Sequence, residues 1–115
     1  MRRGEVYWAD LAPRSGSEHR GRRPVVILSH DGFNRVPDWR SLIVVPLTTS
    51  GRQRRAGPTA IPLPKGAAGL SRASTALAHQ ITTIDRRKLA RRIGTLDAEH
   101  LDRVEQGVRA ALDLG

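Results

Sequence analysis

The most informative stretch for the fold is PVVILS (24–29), a short apolar run rich in β-branched residues. This composition predicts a buried strand, and Pro24 fits only as its first residue, where no ladder donor is needed. A second apolar run, SLIVVPL (41–47), predicts another strand, and Pro46 near its end indicates a bulge or an edge. The fold is therefore expected to centre on a β-sheet.

Three further stretches predict strands around these two. GEVYWADL (4–11) alternates so that Val6 and Trp8 share one face, and we expect Trp8 in the core. TAIPLP (59–64) is a short strand candidate, and STALAHQITTI (74–84) is enriched in Thr and Ile, as strands are. The polar and glycine-containing segments between the strands read as loops: 12–23, 30–40 and 48–58.

One long helix is predicted near the end of the sequence. Asp97 fits an N-cap, and apolar residues follow at helical spacing: Leu101, Val104, Val108, Ala111 and Leu112. Earlier in the chain, Asp85 fits the cap of a short helical turn over 86–89. Five short strands and a terminal amphipathic helix predict a mainly β fold with helices (α+β), in which the helix packs on a small, strongly bent sheet or barrel.

The composition favours an anionic partner. The 115 residues suffice for one domain, which we take to span 1–115, and they carry a formal net charge of +9. Eighteen of the 20 basic residues are arginines, whose planar donors fit phosphate bidentately. Residues 39–84 contain no Asp or Glu, and 86–92 read RRKLARR. A solvated face would explain the basic run alone, but the long acid-free span favours nucleic acid as the partner.

Several protein classes are excluded by what the sequence lacks. It has no cysteine, which excludes disulfides, cysteine-ligated zinc and a thiol nucleophile. Its four histidines show no metal-ligand spacing, and there is no P-loop, G-x-S-x-G or G-x-G-x-x-G motif. No apolar run is long enough for a membrane span, and no signal-peptide core is present. We therefore expect a cytoplasmic protein with no membrane partner, no metal and no cofactor.

Polar residues stand at the ends of the predicted strands. Arg23 directly precedes a buried strand, which would hold its guanidinium rigidly enough to stabilise developing negative charge, or it pairs with Glu18 and pins the loop. Thr48 and Thr49 follow the second run, where their hydroxyls either share a cleft with Arg23 or serve a turn. Gln80 is polar within an apolar stretch, so it either satisfies a backbone group or reads a base edge.

Taken in order, four blocks resemble the MazF/PemK family of toxin–antitoxin ribonucleases: RGEVYWADL (3–11), GSEHRGRRPVVILS (16–29), VVPLTTS (44–50) and HQITTIDRRKL (79–89). The specific part is the combination of G-S-E-x-x-G-x-R-P with V-P-L-T-T. The resemblance implies a small SH3-like barrel with helices, acting as a homodimer. It also implies a sequence-specific endoribonuclease that cuts single-stranded RNA without a metal. A cognate antitoxin would inhibit it by laying an acidic, disordered tail across the active groove.

Carried over by position, the resemblance implies that Arg23 and Thr48 perform catalysis. This sequence departs from many members of the family at His19 and in its unusually basic loop 51–58, so its base preference is expected to differ. His19 is also a candidate general base. Substrate contacts are expected from Glu18, His19, Thr49, Arg52 and Gln80.

The implied chemistry agrees with the missing cysteine and metal motifs. RNA carries its own nucleophile, since attack of a 2′-hydroxyl on the adjacent phosphorus gives a 2′,3′-cyclic phosphate and a 5′-hydroxyl end. The enzyme has to position the backbone, assist a proton and stabilise charge. Two alternatives stay open at this point: a non-catalytic nucleic-acid-binding module of the same fold, and a toxin of that fold that poisons a protein.

Overall fold

A computed structural model of the protein describes residues 1–11, 21–49 and 57–115. Within these residues the strands are β1 (Glu5–Asp10), β2 (Arg22–Ile27), β3 (Ser41–Thr48), β4 (Ala60–Leu63), β5 (Ser74–Leu77), β6 (Thr82–Asp85) and β7 (Leu89–Thr95). The α-helices are α1 (Asp31–Asn34), inside a segment predicted as loop, and α2 (Ala98–Leu112). Short 3-10 turns lie at Ala67–Gly69, Ala78–Gln80 and Arg86–Lys88.

The strands form one antiparallel sheet, in the order β4-β5-β3-β2-β1-β7, with β6 also paired to β3. The mainly β fold with a C-terminal helix is confirmed, but the barrel is not closed by strand pairing, because β4 and β7 remain the two ends of the order. The turn Ala67–Gly69 spans the gap instead and packs on β7. No helix among the described residues is long and apolar enough to cross a membrane.

This packing of the turn on β7 depends on two glycines, Gly69 and Gly94. A methyl group added at Gly94 of β7 would overlap the backbone carbonyl of Ala68, and one added at Gly69 would lie 3.0 Å from the carbonyl oxygen of Ile93. Gly69 also has a φ of 79°, which a residue with a side chain rarely adopts. The two backbones can approach this closely only because neither position carries a Cβ.

The prediction of five strands is wrong, since the described residues contain seven. The run 74–84 divides into β5 and β6, which pair with different parts of β3: β6 with Ser41–Val44 and β5 with Leu47–Thr48. The turn Ala78–Gln80 carries the chain from one part to the other. The predicted turn after Asp85 is present, with Asp85 Oδ1 accepting from the Arg87 N–H at 2.8 Å.

The two strand prolines lie where no ladder bond is lost. In β3 the Ile43 carbonyl accepts a hydrogen bond from the Leu28 N–H. The backbone N–H and C=O groups of odd-numbered residues of β3 therefore point toward β2, and the backbone of Pro46 points toward the strand on the other side. There Pro46 falls between the β6 and β5 pairings. Of the bulge or edge predicted at Pro46, the edge is wrong, because β3 has neighbours on both sides and changes one of them at the proline.

The core lies on both faces of the sheet. One cluster, which includes Val26, Leu47 and Val104, joins the sheet to α2, and a second includes Val25, Ile27, Leu42 and Val44. These sites are fully buried, as the two apolar runs predict.

Helix α2 begins as predicted, with Asp97 Oδ1 accepting from the His100 N–H at 2.8 Å. Its Gly107 is buried, and a methyl there would come within 3.0 Å of Ala78 Cβ and Ile61 Cδ1, so the helix packs closely on β4 and the neighbouring turn. Leu112, predicted on the apolar face, is 52% exposed because it lies beyond that contact.

Candidate functional site

A groove of about 540 Å³ opens where β2 and β3 separate. It falls in the size range of small-molecule and substrate sites. We call it the Arg23 groove. The residues that line it are Trp8, Arg22–Pro24, Leu47–Thr49, Gly69–Arg72, Ser74 and Arg91–Ile93.

Pro24 explains why the two strands separate at this point. The last recorded pair of the β2–β3 ladder is Val25 with Pro46, and continuing the register places Pro24 opposite Leu47 and then Arg23 opposite Thr48. The carbonyls of Gly21 and Ile27 accept hydrogen bonds from residues that flank β1. The backbone groups of odd-numbered residues of β2 therefore point toward β1, and the backbone of Pro24 points toward β3. It has no N–H to donate to Leu47, and the ladder ends. Pro24 is thus the third residue of β2, not its predicted first.

Arg23 is held at the mouth of this opening by its pairing with Ala9 of β1. Its Nη1 atom is buried. Among the described residues, it is the only buried side-chain nitrogen or oxygen atom that has no hydrogen-bond partner. Burial lowers the pKa of the Arg23 guanidinium below its ordinary value, although arginine stays protonated in proteins. An anionic group in the groove would give this cation the partner that it lacks.

Thr48 ends β3, where it is buried and pairs with Thr75 of β5. Thr49 follows it and is exposed. Both threonines line the same groove as Arg23. The structure therefore brings together the arginine that precedes one predicted strand and the hydroxyls that follow the other.

The other predicted site residues are not brought to the groove by the described part of the chain. Gln80 is half-buried and ends a 3-10 turn that contacts α2, and it does not line the Arg23 groove. Glu18, His19 and Arg52 lie outside the described residues. The predicted pairing of Arg23 with Glu18 falls outside them as well.

One wall of the groove was not predicted from the sequence. Trp8 was expected in the core, but it is only half-buried and lines the groove. Four arginines also join Arg23 there: Arg22, Arg72, Arg91 and Arg92. The acid-free span and the basic run RRKLARR contain three of them, but only the packing of Ala67–Gly69 on β7 brings Arg72 to the same surface as Arg91 and Arg92.

The lining of the Arg23 groove is strongly electropositive. None of the described residues that line it is an Asp or Glu. Arg92 is the one groove arginine with an ion pair in the described part of the chain: its Nε lies 3.0 Å from the carboxylate of Glu5, and its Nη2 donates to Thr95 at 2.8 Å. No cluster of three His, Cys, Asp or Glu side chains suited to a metal ion occurs in residues 1–11, 21–49 and 57–115.

The chain is similar to known toxins over nearly its whole length. Residues 2–112 match the model of a family described as PemK-like, MazF-like toxins of type II toxin–antitoxin systems. The chain is 36% identical over 114 residues to endoribonuclease EndoA of Bacillus subtilis, covering 99% of this chain and 96% of that one.

Solved structures agree with this match. One is the Mycobacterium tuberculosis toxin MazF-mt6, with a TM-score of 0.78 and 26% identity over 96% of this chain and 98% of that one. A mycobacterial endoribonuclease in complex with its cognate antitoxin shares the fold, with a TM-score of 0.81, 24% identity and coverage of 100% and 97%. The chain belongs to the family of PemK-like, MazF-like toxins of type II toxin–antitoxin systems.

Proposed function

We propose that this toxin is a sequence-specific endoribonuclease that cleaves single-stranded messenger RNA without a metal ion or cofactor. The observation that carries the proposal is the buried, unpartnered Nη1 of Arg23 in the same groove as Thr48. Related toxins named endoribonucleases, at 34–36% identity over nearly the whole chain, support the same activity.

The reaction divides into three tasks. The 2′-oxygen loses its proton and bonds to the adjacent phosphorus, the bond from phosphorus to the 5′-oxygen breaks, and the leaving oxygen takes a proton. The products are a 2′,3′-cyclic phosphate and a 5′-hydroxyl. Arg23 stabilises the extra charge on the phosphoryl oxygens, because a fixed cation in a partly desolvated site needs no reorganisation during the reaction. Thr48 positions the 2′-hydroxyl, and His19 is the candidate base.

The proposed partners follow from the family and the groove. A cognate antitoxin, which membership of a toxin–antitoxin family implies, would compete with RNA for the same arginines through an acidic segment. We also propose that residues 1–115 act as one domain in a homodimer in the cytoplasm, where messenger RNA is found. Exposed apolar side chains such as Trp39 and Ile43 are available for such contacts. Sedimentation at micromolar concentration tests the dimer, and a monomer would contradict it.

The test of the activity is cleavage of a long single-stranded RNA in excess EDTA. Wild type should cut at defined sites, while Arg23→Ala and Thr48→Ala should each lose most of the activity. Arg103→Gln is a matched control, because it removes one charge from the exposed surface of α2, away from the groove. Absence of cleavage by wild type, or full activity in both groove variants, would contradict the proposal.

A further inference from the structure

We propose that Arg72 and Arg91 form a second phosphate-binding subsite in the Arg23 groove, which holds a backbone phosphate that flanks the scissile one. The inference rests on the proposed function for the identity of the ligand, an RNA strand. It concerns a different wall of the groove from Arg23 and Thr48.

The wall is built by two segments that are distant in sequence. The turn Ala67–Gly69 packs on β7, close enough that Gly69 and Gly94 leave no room for a methyl group. Arg72 follows this turn by three residues, and Arg91 precedes the contact residue Ile93 by two. The packing therefore places two arginines from separate segments on one surface that both line.

These two cations are available to a ligand. Arg92 is already bound by Glu5 and Thr95. Arg72 and Arg91 have exposed side chains, and neither has an ion pair or a side-chain hydrogen bond within the described part of the chain. Because no carboxylate among the described residues lines this groove, the lining itself favours an incoming anion.

The chemistry of the groove favours a phosphodiester over an acidic peptide. Arginine donors match the paired oxygens of a phosphate and of a carboxylate alike, so the aromatic residue in the groove decides between the two ligands. The ring of Trp8 in the same groove offers a surface on which a base can stack, and a carboxylate side chain has no use for such a surface. A strand whose scissile phosphate lies at Arg23 would extend along this wall, so Arg72 and Arg91 act as positioning residues for the cleavage.

The first measurement is the salt dependence of RNA binding. The probe is a short RNA with 2′-deoxyribose at the cut site, which binds without being cleaved. Each bound phosphate contributes about 0.7 to the slope of log Kd against log salt for a single strand. Because the two arginines share one phosphate, Arg72→Gln and Arg91→Gln should each lower the slope by up to about 0.7 and weaken binding about three- to tenfold at low salt. Arg103→Gln should leave the slope unchanged, since Arg103 is paired with Glu99 outside the groove.

The second measurement identifies the phosphate. Methylphosphonate linkages replace single flanking phosphates of the same probe with neutral groups. At the contacted position, the loss of binding affinity caused by the linkage and the loss caused by Arg72→Gln or Arg91→Gln should not add, because either change removes the same contact between arginine and phosphate. At other positions the two losses should add. In cleavage of all-ribose RNA, both variants should raise KM and leave kcat within about twofold.

The outcomes separate this inference from the proposed activity. If the probe binds with the expected slopes but all-ribose RNA is not cut, the activity fails and the subsite stands. If RNA is cut but both variants match Arg103→Gln in slope and KM, the subsite is overturned and the activity stands. Unchanged RNA binding with a weakened affinity for a polyglutamate peptide would also overturn it, because the two arginines would then serve an acidic protein segment.

Discussion

Pro24 of β2 stands opposite Leu47 of β3 in the continued register, at the step where the ladder between these strands ends. One position further along each strand are Arg23 and Thr48. A residue without an N–H thus removes the hydrogen bond by which the two strands would continue their pairing at the site. Beyond this point a charged side chain and a hydroxyl line the same groove.

Replacing this proline should narrow the groove. Pro24→Val supplies the missing N–H together with a strong strand former, so β2 and β3 can pair as far as Arg23 and Thr48. We expect RNA cleavage to fall at least about tenfold while the free energy of unfolding is unchanged or higher. Cleavage assays and urea unfolding measure the two effects. Pro62→Val in the edge strand β4 is the control, and equal cleavage by both variants would contradict the account.

Arg23 should favour activity at the expense of stability. Its buried Nη1 has no partner in the described structure, so folding desolvates a cation without compensation. Arg23→Met should be at least as stable as wild type in urea and should lose about 10²- to 10³-fold in kcat. Arg23→Lys, which keeps a charge but not the planar donors, should also be strongly impaired. A clear loss of stability in Arg23→Met would show that Arg23 is bound by protein groups.

The contact between β7 and the turn Ala67–Gly69 should be sensitive to a single methyl group. Gly94→Ala would overlap the Ala68 carbonyl, so the turn has to move. We expect a loss of about 1–3 kcal/mol in the free energy of unfolding. RNA binding should also weaken, because Arg72 moves with the turn. Gly57→Ala has open space around it and should change neither property. Equal stability of the two variants would contradict the close approach.

The N-cap of α2 should give the protein an acid-sensitive component of stability. The backbone N–H of His100, and then its ring, lower the pKa of Asp97 below the ordinary value of 3.8. The stabilisation from the charged form is therefore fully present above that value and is lost as pH falls through the lower, folded-state pKa. Asp97→Asn keeps a capping oxygen without the charge. Its urea midpoint should lie below that of wild type at pH 7, and this difference should shrink as the pH is lowered to 3. A constant deficit would rule out this role of the charge.

The sequence predicted the parts of the fold that depend on local pattern. The runs around Val26 and Val45 are buried strands, and Asp97 begins the helix, because apolar composition and capping act within a few residues. Strand β7 was missed because its central residues, Ala90–Arg92, are exposed and its arginines read as a charged surface run. The prolines were recognised as special, but their effect depends on which neighbouring strand each one faces, and single-strand patterns do not contain that information.

The residues of the groove could likewise be predicted only in part. Arg23 and Thr48 could be singled out because each adjoins an apolar run, and the resemblance named the same two residues. Arg72, Arg91 and Trp8 could not be assigned to the groove, because a non-local contact of the turn Ala67–Gly69 with β7 places them there. Such a contact leaves no periodic signal, and glycine at position 94 indicates it only once the neighbouring backbone is known.

The most direct test of the central claim is a product analysis on one RNA that the wild-type toxin cleaves, carried out in excess EDTA. Mass spectrometry should find a 2′,3′-cyclic phosphate on one fragment and a 5′-hydroxyl on the other. The same RNA with a single 2′-deoxyribose on the 5′ side of the cut should remain intact at that site. Cleavage of the deoxy-substituted RNA at the same phosphate, or products with a 5′-phosphate, would contradict a mechanism in which the substrate supplies the nucleophile to a groove that contains Arg23 and Thr48.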